Sequence, residues 1–297
     1  MEDCRKACGG HGYLQSSGLP ELVTTYLQNP TVEGDNHMLP QQVVKVLLKL
    51  VEAVQKGADL ANYQPCDCND LVPSLRVIMS SPSSERCRAQ SKADMMNLER
   101  VVLPAFRHRA ARLLVEVAVQ MQTAIMQNGK SQQDAWNDAQ VLMARVSRAY
   151  SQFLLVRNFM NGIAEEEQMG VTTTTESNVL RDLARLFALY WVERELGDFL
   201  EDGYLSEVQS RYVHAAVLDL LDIVRPNAVA LVDARDFSDF KLKSALGRFD
   251  GNVYPAIMDA ARRDPLNQSE PGPGYKEHLK RLIVDGVGVY SGTSSRL

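Results

Sequence analysis

Apolar residues recur along this chain at steps of three and four, the spacing that places them on one face of an α-helix. The pattern is clearest over residues 41–55, where the apolar positions are Val43, Val44, Val46, Leu47, Leu50, Val51 and Val54. The same period appears over residues 107–127, 132–158, 176–196 and 205–224. These segments predict an all-α fold in which amphipathic helices bury their apolar faces against one another.

Turn-forming residues divide the chain. Between residues 57 and 91 the helical period fails at Asn62-Tyr63-Gln64-Pro65 and at Ser80-Ser81-Pro82-Ser83-Ser84. A further polar stretch over residues 165–175 predicts a loop between two helices. We therefore expect four regions, which are a first helical domain over 1–60, a linker over 61–91, a helical bundle over 92–284 and a tail over 285–297.

Composition narrows the class of function. The 297 residues are 45% hydrophobic and carry a formal charge of -5 with charges of mixed sign, so we expect a globular protein and no nucleic-acid partner. We expect no membrane span, because no apolar run reaches the roughly 18 to 20 residues that a bilayer requires.

Five cysteines favour a reducing compartment. Cys66 and Cys68 lack a second Cys/His pair at zinc-ligand spacing, so no metal site is expected.

Two short motifs have the composition of functional loops. The first is Ala7-Cys8-Gly9-Gly10-His11-Gly12-Tyr13, in which three glycines allow a backbone to approach a ligand closely. The second is Val32-Glu33-Gly34-Asp35-Asn36, in which a carboxylate precedes a glycine at the entrance to a helix. Both motifs also have a purely structural interpretation: the glycines as a helix C-cap or tight turn, and Asp35 or Asn36 as an N-cap.

The order of the motifs decides between these interpretations. The two loops are followed by Arg225-Pro226-Asn227-Ala228-Val229-Ala230-Leu231-Val232-Asp233, and the chain ends in Ser295-Arg296-Leu297. In this combination the sequence resembles the peroxisomal acyl-CoA oxidase family, most closely over residues 3–50 and 176–284. The resemblance implies the carboxyl-terminal helical-bundle domains of the acyl-CoA oxidase and dehydrogenase type.

The resemblance implies an FAD-dependent oxidoreductase that converts acyl-CoA to trans-2-enoyl-CoA and reduces O2 to H2O2 in peroxisomal fatty acid β-oxidation. In that family the Glu of the second motif is the catalytic base, which corresponds to Glu33, and Glu33 with Gly34 would contact the substrate. Cofactor contacts are implied for Gly9, Gly10, His11, Gly12, Asp35 and Asn36. A homodimer is also implied.

The resemblance also implies an amino-terminal helical domain and a β-domain that this sequence does not contain and that supply most contacts to FAD and CoA. An alternative is therefore a catalytically inactive helical module for dimerisation or regulation, or a truncated fragment of the family. The terminal Ser295-Arg296-Leu297 resembles the tripeptide that the peroxisomal import receptor recognises, which predicts a peroxisomal location.

Overall fold

Helices and the turns between them make up the computed structural model, which describes residues 1–32, 34–58, 67–81, 85–269, 271–272, 274–280 and 282–283. Within those ranges there is no β-strand, and the predicted all-α fold is confirmed. The α-helices are α1 (Glu2–Ala7), α2 (Leu19–Tyr26), α3 (Leu39–Gln55), α4 (Val72–Ser80), α5 (Lys92–Met95), α6 (Leu103–Met126), α7 (Gln132–Asp138), α8 (Gln140–Gln168), α9 (Thr174–Arg194), α10 (Leu196–Leu200), α11 (Glu207–Val224), α12 (Ala228–Asp233), α13 (Asp239–Leu242) and α14 (Val253–Arg263).

Shorter helical turns connect several of these helices. They are of the 3-10 type at Gly9–Tyr13, Gln15–Ser17, Asp67–Leu71, Arg225–Asn227 and Pro265–Asn267, and of the π type at Leu98–Val102 and Tyr275–Leu279. None of the described helices is both long and apolar enough to cross a membrane.

The periodic segments agree with α3, α6, α9 and α11 to within a few residues. The segment predicted as one helix over 132–158 instead breaks at Ala139, between α7 and α8. Helix α8 then continues to Gln168, so the loop predicted over 165–175 is shorter than expected. The three glutamates at 165–167 are good helix formers, and they extend the helix where their polarity suggested a loop.

Helix α4 lies within the segment 61–91 that was predicted as a linker. Its nine residues begin with a proline in the first turn, and Leu75 and Ile78 are buried in the main hydrophobic core. The helix was not predicted because it is short and is flanked by Pro and Ser, which are typical of loops. The four predicted regions remain predictions. The two compact units of the structure follow other boundaries.

The larger compact unit, unit 2, spans residues 30–231. Its core lies between α3, α4, α6, α8, α9 and α11, and its largest fully buried apolar side chains include Phe106, Leu113, Met143, Phe153 and Leu189. Helices α9 and α11 both begin with a capping box, Thr173 with Glu176 and Ser206 with Gln209. Each box satisfies backbone N–H groups that the first turn leaves without partners.

The smaller compact unit, unit 1, combines residues 1–29 with residues 232–297. Its two parts are joined by a hydrogen bond from Ala245 N to Ser16 O at 2.8 Å and by an edge-to-face contact between His11 and Tyr254. Helices α1, α2, α13 and α14 contain no fully buried residue. Large apolar side chains of unit 1 are instead exposed, among them Tyr13, Leu27, Phe240, Phe249 and Tyr254.

Candidate functional site

The glycine-rich motif forms a 3-10 turn over Gly9–Tyr13 in unit 1, directly after α1. Gly9 has a φ of 60°, and a Cβ added at Gly9 or Gly10 would meet no atom within 4 Å. The backbone at these two residues is therefore open, as a loop that approaches a ligand requires. His11 is exposed, and its ring contacts Tyr254 at a centroid distance of 5.8 Å.

Gly12 has a different role in the same turn. It is buried, and a Cβ there would lie 2.2 Å from Arg5 O and 3.0 Å from the Cβ of Cys8. This glycine is thus required for packing of the turn against α1. The structural and the ligand-related interpretations of the motif therefore apply to different glycines.

The second motif leads into α3 in unit 2. Gly34 has a φ of 120°, and a Cβ at this position would lie 2.8 Å from Leu39 Cδ2. The turn is closed by Asp35, whose Oδ1 accepts a hydrogen bond from His37 N at 2.7 Å and whose carbonyl accepts from Leu39 N at 2.9 Å. Asn36 N donates to Pro30 O at 3.1 Å. Asp35 therefore orders the entrance to α3, one turn before the helix begins.

Glu33, the predicted catalytic base, lies outside the described residues, and so do Ser295, Arg296 and Leu297. The positive φ of Gly34 fixes the chain directly after Glu33, as predicted for a carboxylate that precedes glycine at a helix entrance. The glycine-rich motif belongs to unit 1, whereas Gly34, Asp35 and Asn36 belong to unit 2. The candidate site residues therefore belong to two different compact units.

A surface cleft of about 850 Å³ lies along α3. Met38, Leu48, Met121 and Trp136 contribute apolar surface to it, and Trp136 Nε1 donates to Gln41 Oε1 at 2.9 Å. Lys45 and Lys49, one helical turn apart, add positive charge, and Glu52 adds a carboxylate to the same lining.

A buried charged cluster was not predicted from the sequence. His108 on α6 is 1% exposed and lies between the carboxylates of Glu85 and Asp202. The partners are 23 and 94 positions away in the chain, so no local pattern indicates the cluster. Arg109, the next residue, is also 1% exposed and pairs with Asp198. No group of three or more His, Cys, Asp or Glu side chains in the described ranges has a metal-binding arrangement.

Comparison with known proteins identifies the family of this chain. Residues 99–284 match the sequence profile of acyl-CoA oxidases, and residues 1–48 match that of the acyl-CoA oxidase C-alpha1 domain. The chain belongs to the acyl-CoA oxidase family. The C-alpha1 match includes both candidate motifs, and together the two matches assign the chain to the carboxyl-terminal portion of the family.

Relatives of known name agree with this assignment. The chain is 38% identical over 282 residues to peroxisomal acyl-coenzyme A oxidase 1 of Rattus norvegicus, covering 95% of this chain and 41% of that protein. Acyl-CoA oxidase 1 of Arabidopsis thaliana superposes with a TM-score of 0.82 at 33% identity, covering 96% of this chain and 40% of that one. Acyl-CoA oxidase-1 of Caenorhabditis elegans, solved with FAD and ATP, gives 0.80 at 30% identity, with coverages of 96% and 40%.

This chain thus spans about two fifths of the length of the acyl-CoA oxidases it matches. The similar proteins are enzymes, and those from mammals are named as peroxisomal.

Proposed function

We propose that the chain is the carboxyl-terminal part of an FAD-dependent acyl-CoA oxidase that forms trans-2-enoyl-CoA and H2O2 in peroxisomal fatty acid β-oxidation. The main support is the turn at Gly34 and Asp35, which leads into α3 and falls within the matched C-alpha1 region. In this proposal the turn at Gly34 and Asp35 gives the Glu33 carboxylate a fixed position ahead of α3, a helix with a buried face. Rigid placement is what a general base needs.

In this proposal Glu33 removes the proton from the carbon α to the thioester. As the proton leaves, negative charge develops on the thioester oxygen, and the Glu33 backbone N–H stabilises that charge. Gly34 has a φ of 120°, which residues with a side chain rarely adopt, so glycine keeps this segment of backbone in its observed position. The cleft along α3 has a partly apolar lining, which is consistent with binding of an acyl chain.

FAD is the proposed cofactor, since the Caenorhabditis elegans relative was solved with it. When bound, FAD would accept the β-hydride, and transfer of two electrons and two protons to O2 would then give H2O2. The open backbone at Gly9 and Gly10 fits a close approach of this cofactor, and His11, Gly12, Asp35 and Asn36 remain proposed neighbours. In that arrangement Gly12 acts indirectly, because its packing against Arg5 sets the shape of the turn.

We further propose a homodimer and import through the peroxisomal receptor. The exposed apolar side chains of unit 1, including Phe240, Phe249 and Tyr254, indicate a surface that another protein segment covers. The names of the mammalian relatives favour a peroxisomal location. Ser295-Arg296-Leu297 would carry the import signal.

A flavin spectrum tests the proposal. The purified chain is examined alone and after assembly with the amino-terminal portion of the rat relative, which this chain does not span. Bound flavin absorbance, together with H2O2 production when acyl-CoA is added to the assembly, is the expected result. Protein that remains colourless in both preparations would support the alternative, an inactive helical module for dimerisation or regulation.

A further inference from the structure

His108 lies in the interior of unit 2 with both ring nitrogens against carboxylates. Its Nδ1 is 2.8 Å from Glu85 Oε2, and its Nε2 is 2.7 Å from Asp202 Oδ2. The ring stacks on Tyr204 at a centroid distance of 4.2 Å and an angle of 21°. The imidazole therefore joins α6 to two distant stretches, the segment 85–90 and the turn 201–206 that precedes α11.

Counting protons fixes the charge of this imidazole. An ionised carboxylate accepts hydrogen bonds and donates none, and a neutral imidazole has one N–H. With both carboxylates ionised, both short contacts can be hydrogen bonds only when both ring nitrogens carry hydrogen, which makes the ring an imidazolium. Burial acts to lower the pKa of His108, but hydrogen bonds to Asp202 and Glu85 outweigh burial and raise it above its ordinary value.

Other groups near the His108 ring do not replace its hydrogen bonds to Glu85 and Asp202. Asp202 has further support, because its Oδ1 accepts from Tyr204 N at 3.1 Å and its Oδ2 lies 4.0 Å from Arg112 Nε. Among the residues that the structure describes, the second oxygen of Glu85 accepts a long contact of 3.4 Å from Ser74 Oγ. Burial raises the pKa of the Tyr204 hydroxyl, so it stays neutral, with Arg88, Arg107 and the Cys87 thiol as its other charged or titratable neighbours.

We propose that His108 is the switch of a pH-dependent latch, in which its imidazolium ties Glu85 to the turn at Asp202 and loss of its proton releases Glu85. A neutral ring retains one N–H and can hold one carboxylate. Glu85 is the carboxylate released, because its side chain is 30% exposed against 17% for Asp202 and so regains water more easily. The retained proton is then on Nε2.

The release is local. Cys87 N still donates to Tyr204 O at 2.9 Å, and Gln209 Nε2 still donates to the carbonyls of Cys87 and Ala89. Neither contact depends on a titrating group. The latch therefore frees the Glu85 end of the segment and leaves residues 87–89 in place. Because the pKa of His108 is raised in the folded protein, its stabilising contribution is complete below about pH 6.5, the ordinary value, and is lost as pH rises through the folded pKa.

Nitrogen NMR of the imidazole rings in the intact chain tests the charge state directly. The chain has five histidines, and the His108 signals are assigned by their loss in His108→Gln. We expect both ring nitrogens of His108 to be protonated at pH 6.5 and Nδ1 to lose its proton at higher pH while Nε2 stays protonated. A ring that is neutral at pH 6.5, or one that retains Nδ1–H at high pH, would overturn the proposal.

Glu85→Gln separates the latch from general effects of alkaline pH. Its amide can donate to an unprotonated Nδ1, so the contact no longer requires an imidazolium. Urea unfolding is followed from pH 6 to pH 9, and the wild-type midpoint is expected to fall more steeply than that of Glu85→Gln. His214→Gln is the matched control, since His214 pairs with Glu193 at the surface, and its profile is expected to follow the wild type. Parallel profiles for wild type and Glu85→Gln would refute the latch.

Discussion

Arg109 Nε lies 2.7 Å from Asp198 Oδ2 in the interior of unit 2, which joins α6 to α10. The guanidinium is 1% exposed, donates also to Gln152 on α8, and lies over the ring of Phe199 at 5.7 Å. The second oxygen of Asp198 accepts from Arg145 at 2.5 Å. Three helices thus share one buried carboxylate, so the pair matters more to stability than surface ion pairs do.

We predict that Asp198→Ala destabilises the fold by about 3 kcal/mol, the lower end of the range for breaking a buried pair, because Arg109 loses its partner at Nε but keeps Glu195 at 3.2 Å. Glu201→Ala is the control, since Glu201 pairs with Arg112 and Arg145 but its side chain is 51% exposed. That change is expected to cost less than about 1 kcal/mol. Urea unfolding followed by circular dichroism measures both, and equal costs would show that the buried pair has no special weight.

Because of Asp198, the stability of the fold is also expected to depend on pH in the acid range. Burial acts to raise its pKa, but hydrogen bonds from Arg145 and Arg109 outweigh burial and hold the pKa below its usual range. Its contribution to stability is therefore complete above about pH 3.8, the ordinary value, and is lost as pH falls through the folded pKa. Carbon NMR of the carboxyl groups should show Asp198 ionised at pH 4, and protonation at that pH would contradict this.

The glycine-rich motif allows a test within one turn. Gly12→Ala places a methyl group 2.2 Å from Arg5 O, and we expect a cost of about 1–3 kcal/mol from overpacking. Gly10→Ala meets open space, so its effect should stay within about 0.5 kcal/mol. Hydrogen exchange at the amides of Ser17 and Gly18, which hydrogen-bond within the following turn, reports on unit 1. Faster exchange in Gly10→Ala than in Gly12→Ala would reverse the assignment.

Removal of the capping box of α9 is expected to lower the stability of the fold by a smaller amount. Thr173 Oγ1 accepts from Glu176 N, and the Glu176 carboxylate accepts from Thr173 N at 2.7 Å. Thr173→Ala removes the cap and should cost about 1 kcal/mol. That loss corresponds to a fall in Tm of about 2–4 °C for a unit of this size. Thr175→Ala, in the first turn and without a capping role, should leave Tm unchanged or slightly higher.

The sequence predicts elements whose residues lie close together in the chain, but not contacts between residues that are far apart in it. Helices α3, α6 and α11 follow from periodicity, because the apolar positions of each lie close together in the chain. Helix α4 was not predicted, because it is short and is flanked by Pro and Ser residues, which are typical of loops. The position of His108 between Glu85 and Asp202 could not be foreseen, because tertiary packing brings these residues together.

The candidate site divides in the same way. The open backbone at Gly9 and Gly10 and the positive φ of Gly34 agree with the predicted need for glycine. The sequence did not indicate that Gly12 serves packing, because that depends on the path of the chain relative to Arg5. The catalytic role of Glu33 stays a prediction and carries the proposed function.

The rate of flavin reduction in Glu33→Gln tests that role most directly. The variant and the wild type, each assembled with the amino-terminal portion of the rat relative and loaded with FAD, are mixed with acyl-CoA in the absence of oxygen. Loss of flavin absorbance should be slower in Glu33→Gln by about 10²–10⁴-fold, with flavin content unchanged, because the amide keeps the shape but not the basicity. Glu21→Gln, on the exposed face of α2, should match the wild type. Reduction of Glu33→Gln at the wild-type rate would contradict the account.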